Sequence, residues 1–142
     1  MRNCTRRLEW DAAHRVMEHE SKCKNLHGHR YTAEVTCESA DLDPLGRVVD
    51  FSIVKSVVGR FIDEAWDHGT IANGDDERLL ALCRESGWKH YSLPSGVNPT
   101  AENLAQHLFS IASRLLNGTL VRVVHVRIYE TPNCWADYGV TS

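Results

Sequence analysis

Hydrophobic and polar residues alternate along several stretches of the chain, which is the pattern of half-buried β-strands. The alternation covers residues 5–14 and 121–130, and residues 136–140 predict a last short strand. It is cleanest over residues 27–37. One face of that predicted strand carries His27, His29, Tyr31, Ala33, Val35 and Cys37.

Two longer segments have apolar residues at the 3.6-residue period of an amphipathic helix. Ser52 can cap the first helix, whose apolar stripe runs through residues 53–65. Thr100 can cap the second, and Asn117-Gly118 ends it. A shorter helix is predicted over residues 77–84.

The predicted main elements follow the order strand, strand, helix, helix, strand, strand. Strands grouped in hairpins, rather than alternating with helices, indicate an α+β fold. We therefore expect an antiparallel four-stranded sheet with two helices packed on one face. With 142 residues, the chain is expected to form a single domain, residues 1–142.

Composition excludes several classes of partner. The formal net charge is −3 and no run of Lys or Arg could follow a phosphate backbone, so nucleic acid is not expected to bind. No apolar stretch approaches the roughly 20 residues of a membrane span, and the N-terminus lacks the apolar core of a signal peptide. Five cysteines without a CxxC pair disfavour a disulfide framework and indicate a reducing, cytoplasmic setting.

Three histidines share the predicted buried face of neighbouring strands. His27 and His29 point the same way because they are two residues apart on one strand, and His14 ends the previous strand on its apolar parity. Buried imidazoles need partners for both nitrogens, and a shared metal ion supplies one. Three ligands suit a catalytic zinc with an open position, while iron is a second possibility. The alternative is a turn with two solvated histidines.

Cys23 is the cysteine whose surroundings favour reactivity. It lies between Lys22 and Lys24 in a polar loop, and positive charge stabilises a thiolate. Cys23 is therefore a candidate general base or nucleophile. It could instead be a fourth zinc ligand, which would make the site structural.

Two further positions are candidates for chemistry. Asp67 and His68 (the Asp–His pair) could form an acid–base dyad in which the carboxylate orients the imidazole, or could simply mark a helix end. Glu130 ends an apolar strand face, where an unpaired carboxylate is costly and needs a fixed partner. The alternative for Glu130 is that the strand reaches the surface there.

Taken together, and in their order along the chain, these motifs resemble those of the 6-pyruvoyltetrahydropterin synthase / 6-carboxytetrahydropterin synthase family. The resemblance covers most of the chain and is most specific at C-x-x-x-H-G-H. The matching segments are residues 10–15, 23–29, 49–51, 67–73, 98–105 and 129–131. The sequence departs from the family in residues 69–72, which are smaller than usual, and in a longer segment 74–97.

The resemblance implies the tunnelling fold, with subunits joining their sheets into a barrel and active sites at the interfaces of a homohexamer. It implies 7,8-dihydroneopterin triphosphate as substrate and zinc held by His14, His27 and His29. Cys23 would be the general base, and the Asp–His pair of a neighbouring subunit would complete the proton relay. Glu130 would anchor the pterin ring. Two further pocket residues would be Thr100 and Glu102.

The family contains two reactions. One eliminates triphosphate to give 6-pyruvoyltetrahydropterin, and the other also releases acetaldehyde to give 6-carboxytetrahydropterin for 7-deazaguanine and queuosine synthesis. The short N-terminus and residues 130–138 resemble the queuosine branch, so the sequence favours a carbon–carbon lyase making the carboxy product. Two other classes are a binding module with structural zinc and a GTP-hydrolysing cyclohydrolase.

Overall fold

The computed structural model describes residues 1–140, which contain one β-sheet with helices packed on it. The strands are β1 (Arg2–His14), β2 (His27–Ser39), β3 (Gly69–Ala72), β4 (His90–Ser92), β5 (Arg122–Thr131) and β6 (Cys134–Gly139). The helices are α1 (Phe51–Phe61), α2 (Glu77–Ser86) and α3 (Ala101–Leu116). No helix within residues 1–140 is long and apolar enough to cross a membrane.

The sheet has six strands in the order β4-β3-β1-β2-β5-β6. Four of them, β1, β2, β5 and β6, are antiparallel neighbours, as the alternating stretches predicted. The α+β class is confirmed, but the expected four-stranded, purely antiparallel sheet with two helices is wrong. β3 pairs in parallel with the last three residues of β1, β4 pairs in parallel with β3, and α2 is a third helix.

The strands that the sequence did not reveal are very short. β3 has four residues, all buried, so it shows no alternation of polar and apolar side chains. β4 has three residues. Both depend on a neighbouring strand for their hydrogen bonds rather than on a pattern of their own.

α1 and α3 pack on one face of the sheet and bury the main core. Thr100 caps α3 as predicted, since its hydroxyl accepts a hydrogen bond from the Asn103 amide. α1 begins two residues earlier than expected, because Asp50 rather than Ser52 is its cap and accepts from the Ser52 amide at 2.9 Å. α1 then continues into one turn of π-helix, Ile62–Trp66.

The long segment between β3 and α3 forms a separate layer at the edge of the sheet. α2 confirms the short predicted helix; Asp76 caps its start and Gly87 ends it with a φ of 69°. Leu79, Leu80 and Cys83 of this helix form a small buried cluster with Ala72 of β3.

Candidate metal and catalytic site

The register of β1 and β2 brings the three predicted histidines together. His14 lies directly opposite His27, and His29 lies opposite Ala12, two residues before His14. All three side chains therefore project from one face of the sheet. Each offers a ring nitrogen within 4.8 Å of the other two, and His14 is buried. We call His14, His27 and His29 the histidine cluster.

In two of these rings, a main-chain carbonyl determines which of the two nitrogens carries the hydrogen. The carbonyl of Pro99 lies 2.7 Å from Nδ1 of His14, and that of Asn25 lies 2.7 Å from Nδ1 of His27. A carbonyl only accepts, so each Nδ1 carries the hydrogen and donates it. The Nε2 atom of each neutral ring is left with a lone pair.

These lone pairs point at each other. Nε2 of His14 and Nε2 of His27 are 3.1 Å apart, and Nε2 of His29 is buried without a hydrogen-bond partner in the described residues. Facing lone pairs are unfavourable unless a positive charge lies between them. The donor set therefore fits a cation held by three neutral imidazoles.

The pKa of His29 supports the neutral form. Burial lowers this pKa, Glu130 opposes the shift, and His14 and His27 lower the pKa further. A neutral imidazole is the form that binds a metal ion. The ring of His29 is thus prepared for metal binding at neutral pH.

Glu130 reaches the histidine cluster from β5. Its Oε1 lies 3.2 Å from Nε2 of His14 and 3.6 Å from Nε2 of His29. A hydrogen bond from the protonated form of His14 lowers the pKa of Glu130, burial opposes this, and the positive charges of protonated histidines lower it further. The sequence predicted that the Glu130 carboxylate needs a fixed partner. Within this chain, that partner is the histidine cluster.

Cys23 lies in the loop that joins the two histidine-bearing strands. It is half-buried in a 3₁₀ turn, Lys22–Lys24, and its carbonyl accepts from the Val16 amide at 2.8 Å. In residues 1–140, its sulfur is not part of the group of ligand atoms within 4.8 Å of one another. This arrangement favours a thiol beside the cluster over a fourth ligand within it.

The Asp–His pair forms the predicted dyad. Oδ2 of Asp67 lies 2.9 Å from Nδ1 of His68, which leaves Nε2 of His68 free to exchange a proton. Burial raises the pKa of Asp67, but hydrogen bonds from the Asp11 amide and His68, with the charges of His68 and Lys89, lower it overall. Asp67 is therefore an ionised carboxylate that orients His68.

The Asp–His pair and the histidine cluster lie on opposite sides of the sheet within one chain. Ligand atoms of the pair lie within 4.8 Å of the Asp11 carboxylate. Asp11 projects away from the side that carries Ala12 and His14, because neighbouring strand residues alternate. The pair opens into a cavity of about 750 Å³ between the sheet and the turn after α2, and His29 also lines this cavity. Within residues 1–140 the ligand atoms of the pair are nevertheless not among those that converge in the histidine cluster.

Thr100 and Glu102, the two further predicted pocket residues, lie at the start of α3. The Thr100 hydroxyl caps this helix. Glu102 is exposed in the first turn of α3 and forms no hydrogen bond or ion pair within residues 1–140. Pro99, the residue before Thr100, contacts His14 of the cluster through its carbonyl.

Asn98, the residue before Pro99, is anchored by several hydrogen bonds, and the sequence motifs did not predict this role. Its side-chain oxygen accepts from the Met17 amide and from Asn73, both at 3.1 Å. Its own carbonyl accepts from the Asn103 side chain at 2.9 Å. Asn73, Asn98 and Asn103 all lie in matched motifs, which is the signal that could have revealed them.

Comparison with known proteins is consistent with this site. A model of the family described as 6-pyruvoyl tetrahydropterin synthase matches residues 3–140. The 6-carboxy-5,6,7,8-tetrahydropterin synthase of Rickettsia felis is 42% identical over 141 residues, covering 96% of this chain and 99% of that protein. The enzyme of the same name from Haemophilus influenzae is 32% identical, covering 94% and 96%.

Solved structures share the fold at lower identity. An uncharacterised protein from Wolinella succinogenes superposes with a TM-score of 0.81 at 23% identity, covering 97% of each chain. The 6-pyruvoyl tetrahydropterin synthase of Caenorhabditis elegans gives a TM-score of 0.70 at 21% identity, covering 99% of this chain and 96% of that one.

Proposed function

This chain belongs to the 6-pyruvoyl tetrahydropterin synthase family, and we propose that it is a 6-carboxy-5,6,7,8-tetrahydropterin synthase. It would convert 7,8-dihydroneopterin triphosphate to the 6-carboxy product, with release of acetaldehyde and triphosphate, in 7-deazaguanine and queuosine synthesis. The names and near-complete coverage of the bacterial relatives support this product over 6-pyruvoyltetrahydropterin. The observation that carries the proposal is the convergence of one ring nitrogen from each of His14, His27 and His29 to within 4.8 Å of one another, with Nε2 of His29 buried and unpartnered in residues 1–140.

Zinc is the proposed cofactor of the histidine cluster. His14, His27 and His29 would hold it, and a three-histidine set leaves a position for substrate oxygen. When bound, zinc acts as a Lewis acid that polarises the hydroxyl or carbonyl oxygen of the substrate side chain. The carbonyls of Pro99 and Asn25 contribute by keeping two of the rings in the tautomer that offers Nε2.

Cys23 and the Asp–His pair would move the protons. The thiolate of Cys23, between two lysines, would take a proton from the substrate carbon next to the polarised oxygen. His68 would exchange a proton with a side-chain hydroxyl through its free Nε2, while Asp67 holds Nδ1. Each group acts at one atom of the substrate, so the two proton transfers need not compete.

Glu130 would anchor the pterin ring. A glutamate carboxylate is ionised at neutral pH and can accept two hydrogen bonds from adjacent N–H groups. A pterin offers such a pair in its ring N–H and its amino group. Thr100 and Glu102 would lie at the edge of this pocket.

A complete active site would need a second copy of the chain. The Asp–His pair lies on the opposite side of the sheet from the histidine cluster, so a neighbouring subunit would supply it. We propose a homohexamer with its active sites at subunit interfaces. A cytoplasmic location is consistent with the five free cysteines.

Product analysis tests the proposal directly. Zinc-loaded protein is incubated with 7,8-dihydroneopterin triphosphate, and products are followed by mass spectrometry together with an acetaldehyde assay. We expect the 6-carboxy product and acetaldehyde in equal amounts. Triphosphate without acetaldehyde would identify the 6-pyruvoyl reaction instead, and turnover of GTP would identify a cyclohydrolase. Absence of any turnover would reject the enzymatic assignment.

The Cys23→Ala variant distinguishes a general base from a structural ligand. We expect a folded, zinc-loaded protein whose kcat is lower by about 10²–10⁴-fold, the range for loss of one acid–base group. The matched control is Cys134→Ala, which changes an exposed cysteine on β6 and should keep full activity. Loss of zinc and unfolding of Cys23→Ala would show that the thiol is a structural ligand.

A further inference from the structure

The segment between β3 and α3 contacts the Asp–His pair through one lysine. Lys89 lies just before β4, and its ammonium donates to the carbonyl of Asp67 at 2.5 Å and to that of Asp63 at 2.7 Å. The aliphatic part of the Lys89 side chain packs closely against Gly69. A Cβ added at Gly69 would lie 3.1 Å from Lys89 Cγ. Lys89 thus spans from the turn after α2 to the backbone of the Asp–His pair.

The position of these carbonyls makes the contact specific. The last carbonyls of a helix have no partner within the helix, and a cation there also interacts favourably with the helix dipole. Asp63 and Asp67 provide such carbonyls at the end of the π-turn. The Asp67 carbonyl belongs to the peptide bond that joins Asp67 to His68, so the ammonium holds the link between the two members of the pair.

The backbone of His68 needs support of this kind. His68 has a φ of 60°, in the left-handed region, which is unfavourable for a non-glycine residue. Such a conformation persists only where surrounding contacts determine it. The Asp11 carbonyl accepts from the His68 amide at 2.7 Å on one side, and Lys89 binds the preceding peptide on the other.

Positive and negative side chains both line the cavity beside the Asp–His pair, and Lys89 is one of the positive ones. The charged residues that line this cavity with His68 are Asp11 from β1, Arg30 from β2 and Lys89. Arg30 is bound to the Asp11 carboxylate at 3.1 Å. Lys89 makes no ion pair within residues 1–140 and is therefore the positive charge available to Asp67 and His68.

We propose that Lys89 is a positioning residue, which holds the peptide between Asp67 and His68 and supplies positive charge to that pair. The proposal rests on the proposed function, in which His68 exchanges a proton with substrate. It assigns a role to segment 74–97, which the comparison with family motifs left unexplained. Lys89 itself does not touch the reacting atoms.

Three variants of the full chain test this. Lys89→Met removes the charge and both hydrogen bonds, Lys89→Arg keeps a donor group, and Lys55→Met removes an exposed lysine on α1 as the control. We expect kcat of Lys89→Met to fall by at least about tenfold, with KM within about twofold, because misplacing a catalytic group costs up to about 10²-fold. Lys89→Arg should recover most of this loss, and Lys55→Met should match the wild type.

A second measurement does not depend on turnover. Hydrogen–deuterium exchange followed by peptide mass spectrometry gives the exchange rate of the His68 amide, which donates to the Asp11 carbonyl at 2.7 Å. In Lys89→Met the His68 amide should exchange at least about tenfold faster than in the wild type, because the peptide before it loses the contact that holds it beside the Asp11 carbonyl, and Lys89→Arg should restore slow exchange. If the wild type turns over no substrate, the proposed function fails, and this exchange rate still decides the role of Lys89. Wild-type exchange at His68 in Lys89→Met would overturn the proposal, as would a loss of kcat explained fully by lost zinc or unfolding.

Discussion

The imidazoles of His14 and His27 each donate a hydrogen bond from Nδ1 to a main-chain carbonyl. This leaves Nε2 of each ring facing the middle of the histidine cluster. Nε2 of His29 is buried and has no hydrogen-bond partner within residues 1–140. The histidine cluster is therefore arranged by the backbone at two positions and by burial at the third. Its geometry depends on Pro99 and Asn25 as much as on the histidines themselves.

Removal of His29 should abolish tight zinc binding. We expect His29→Ala to lose zinc affinity by more than about 100-fold, since loss of an outer partner alone costs about 10–100-fold. The control is His125→Ala, which removes a histidine of β5 whose Nε2 is paired with Asp137 at 2.9 Å. Chelator competition followed by metal analysis measures both. Wild-type affinity in His29→Ala would contradict the three-histidine site.

At the scale of elements, α2 is attached to the histidine strand by one buried ion pair. Asp76, at the start of α2, binds Arg15 through two hydrogen bonds of 2.5 and 2.7 Å and also caps the helix. Arg15 follows His14 directly. The Arg15 hydrogen bond lowers the pKa of Asp76, burial opposes this, and the Leu79 amide lowers it further. Segment 74–97 thereby reinforces the end of β1.

Asp76→Asn should destabilise the protein in a pH-dependent way. Breaking a buried pair costs about 3–5 kcal/mol, and the partial exposure of Arg15 makes the lower end the expected value at pH 7. Because the folded-state pKa of Asp76 is lowered, the unfolded chain binds the proton more readily. The wild-type advantage is therefore fully present above the unfolded-state pKa and is lost as pH falls from there through the lowered folded-state pKa.

Urea unfolding between pH 7 and pH 3 measures this difference. Glu85→Gln, an exposed change on the same helix, should match the wild type across the range. A gap between wild type and Asp76→Asn that stays constant with pH would show that the ion pair is not its source.

At the scale of the whole molecule, the sheet separates two sets of groups that one reaction would need. The histidine cluster projects to the helical side, and the Asp–His pair lies on the side of Asp11. If a neighbouring chain supplies the pair, chains defective in different sets should complement each other.

Mixing His29→Ala chains with His68→Gln chains should therefore restore activity. Random assembly places intact groups from both chains at about one quarter of the sites in a symmetric oligomer. Co-expression with two affinity tags isolates the mixed assemblies for assay. A mixture of His68→Gln with Asp67→Asn, which damages the same pair, should stay inactive. Failure of the first mixture would place both sets of groups within a single chain.

Local patterns in the sequence were sufficient to predict the long strands and helices and to identify the three histidines whose ring nitrogens converge. The alternation in residues 27–37 predicted that His27 and His29 share a face, and the structure confirms it. Thr100 was correctly identified as a helix cap because capping depends on neighbouring residues. These features are local, so spacing along the chain determines them.

Tertiary structure alone decided the remainder, since it depends on which distant segments meet. Nothing in the spacing of residues 69–72 or 90–92 shows that they extend the sheet, because strands so short are stabilised by their neighbours. The partners of the histidines are main-chain carbonyls, which every residue has and no sequence pattern marks. By itself, then, the sequence determined that three imidazoles, a thiol and an Asp–His pair are present on particular strands and loops. Only the packing of β1, β2 and segment 74–97 decided that the imidazoles converge, that Lys89 binds the pair, and that the sheet lies between the two.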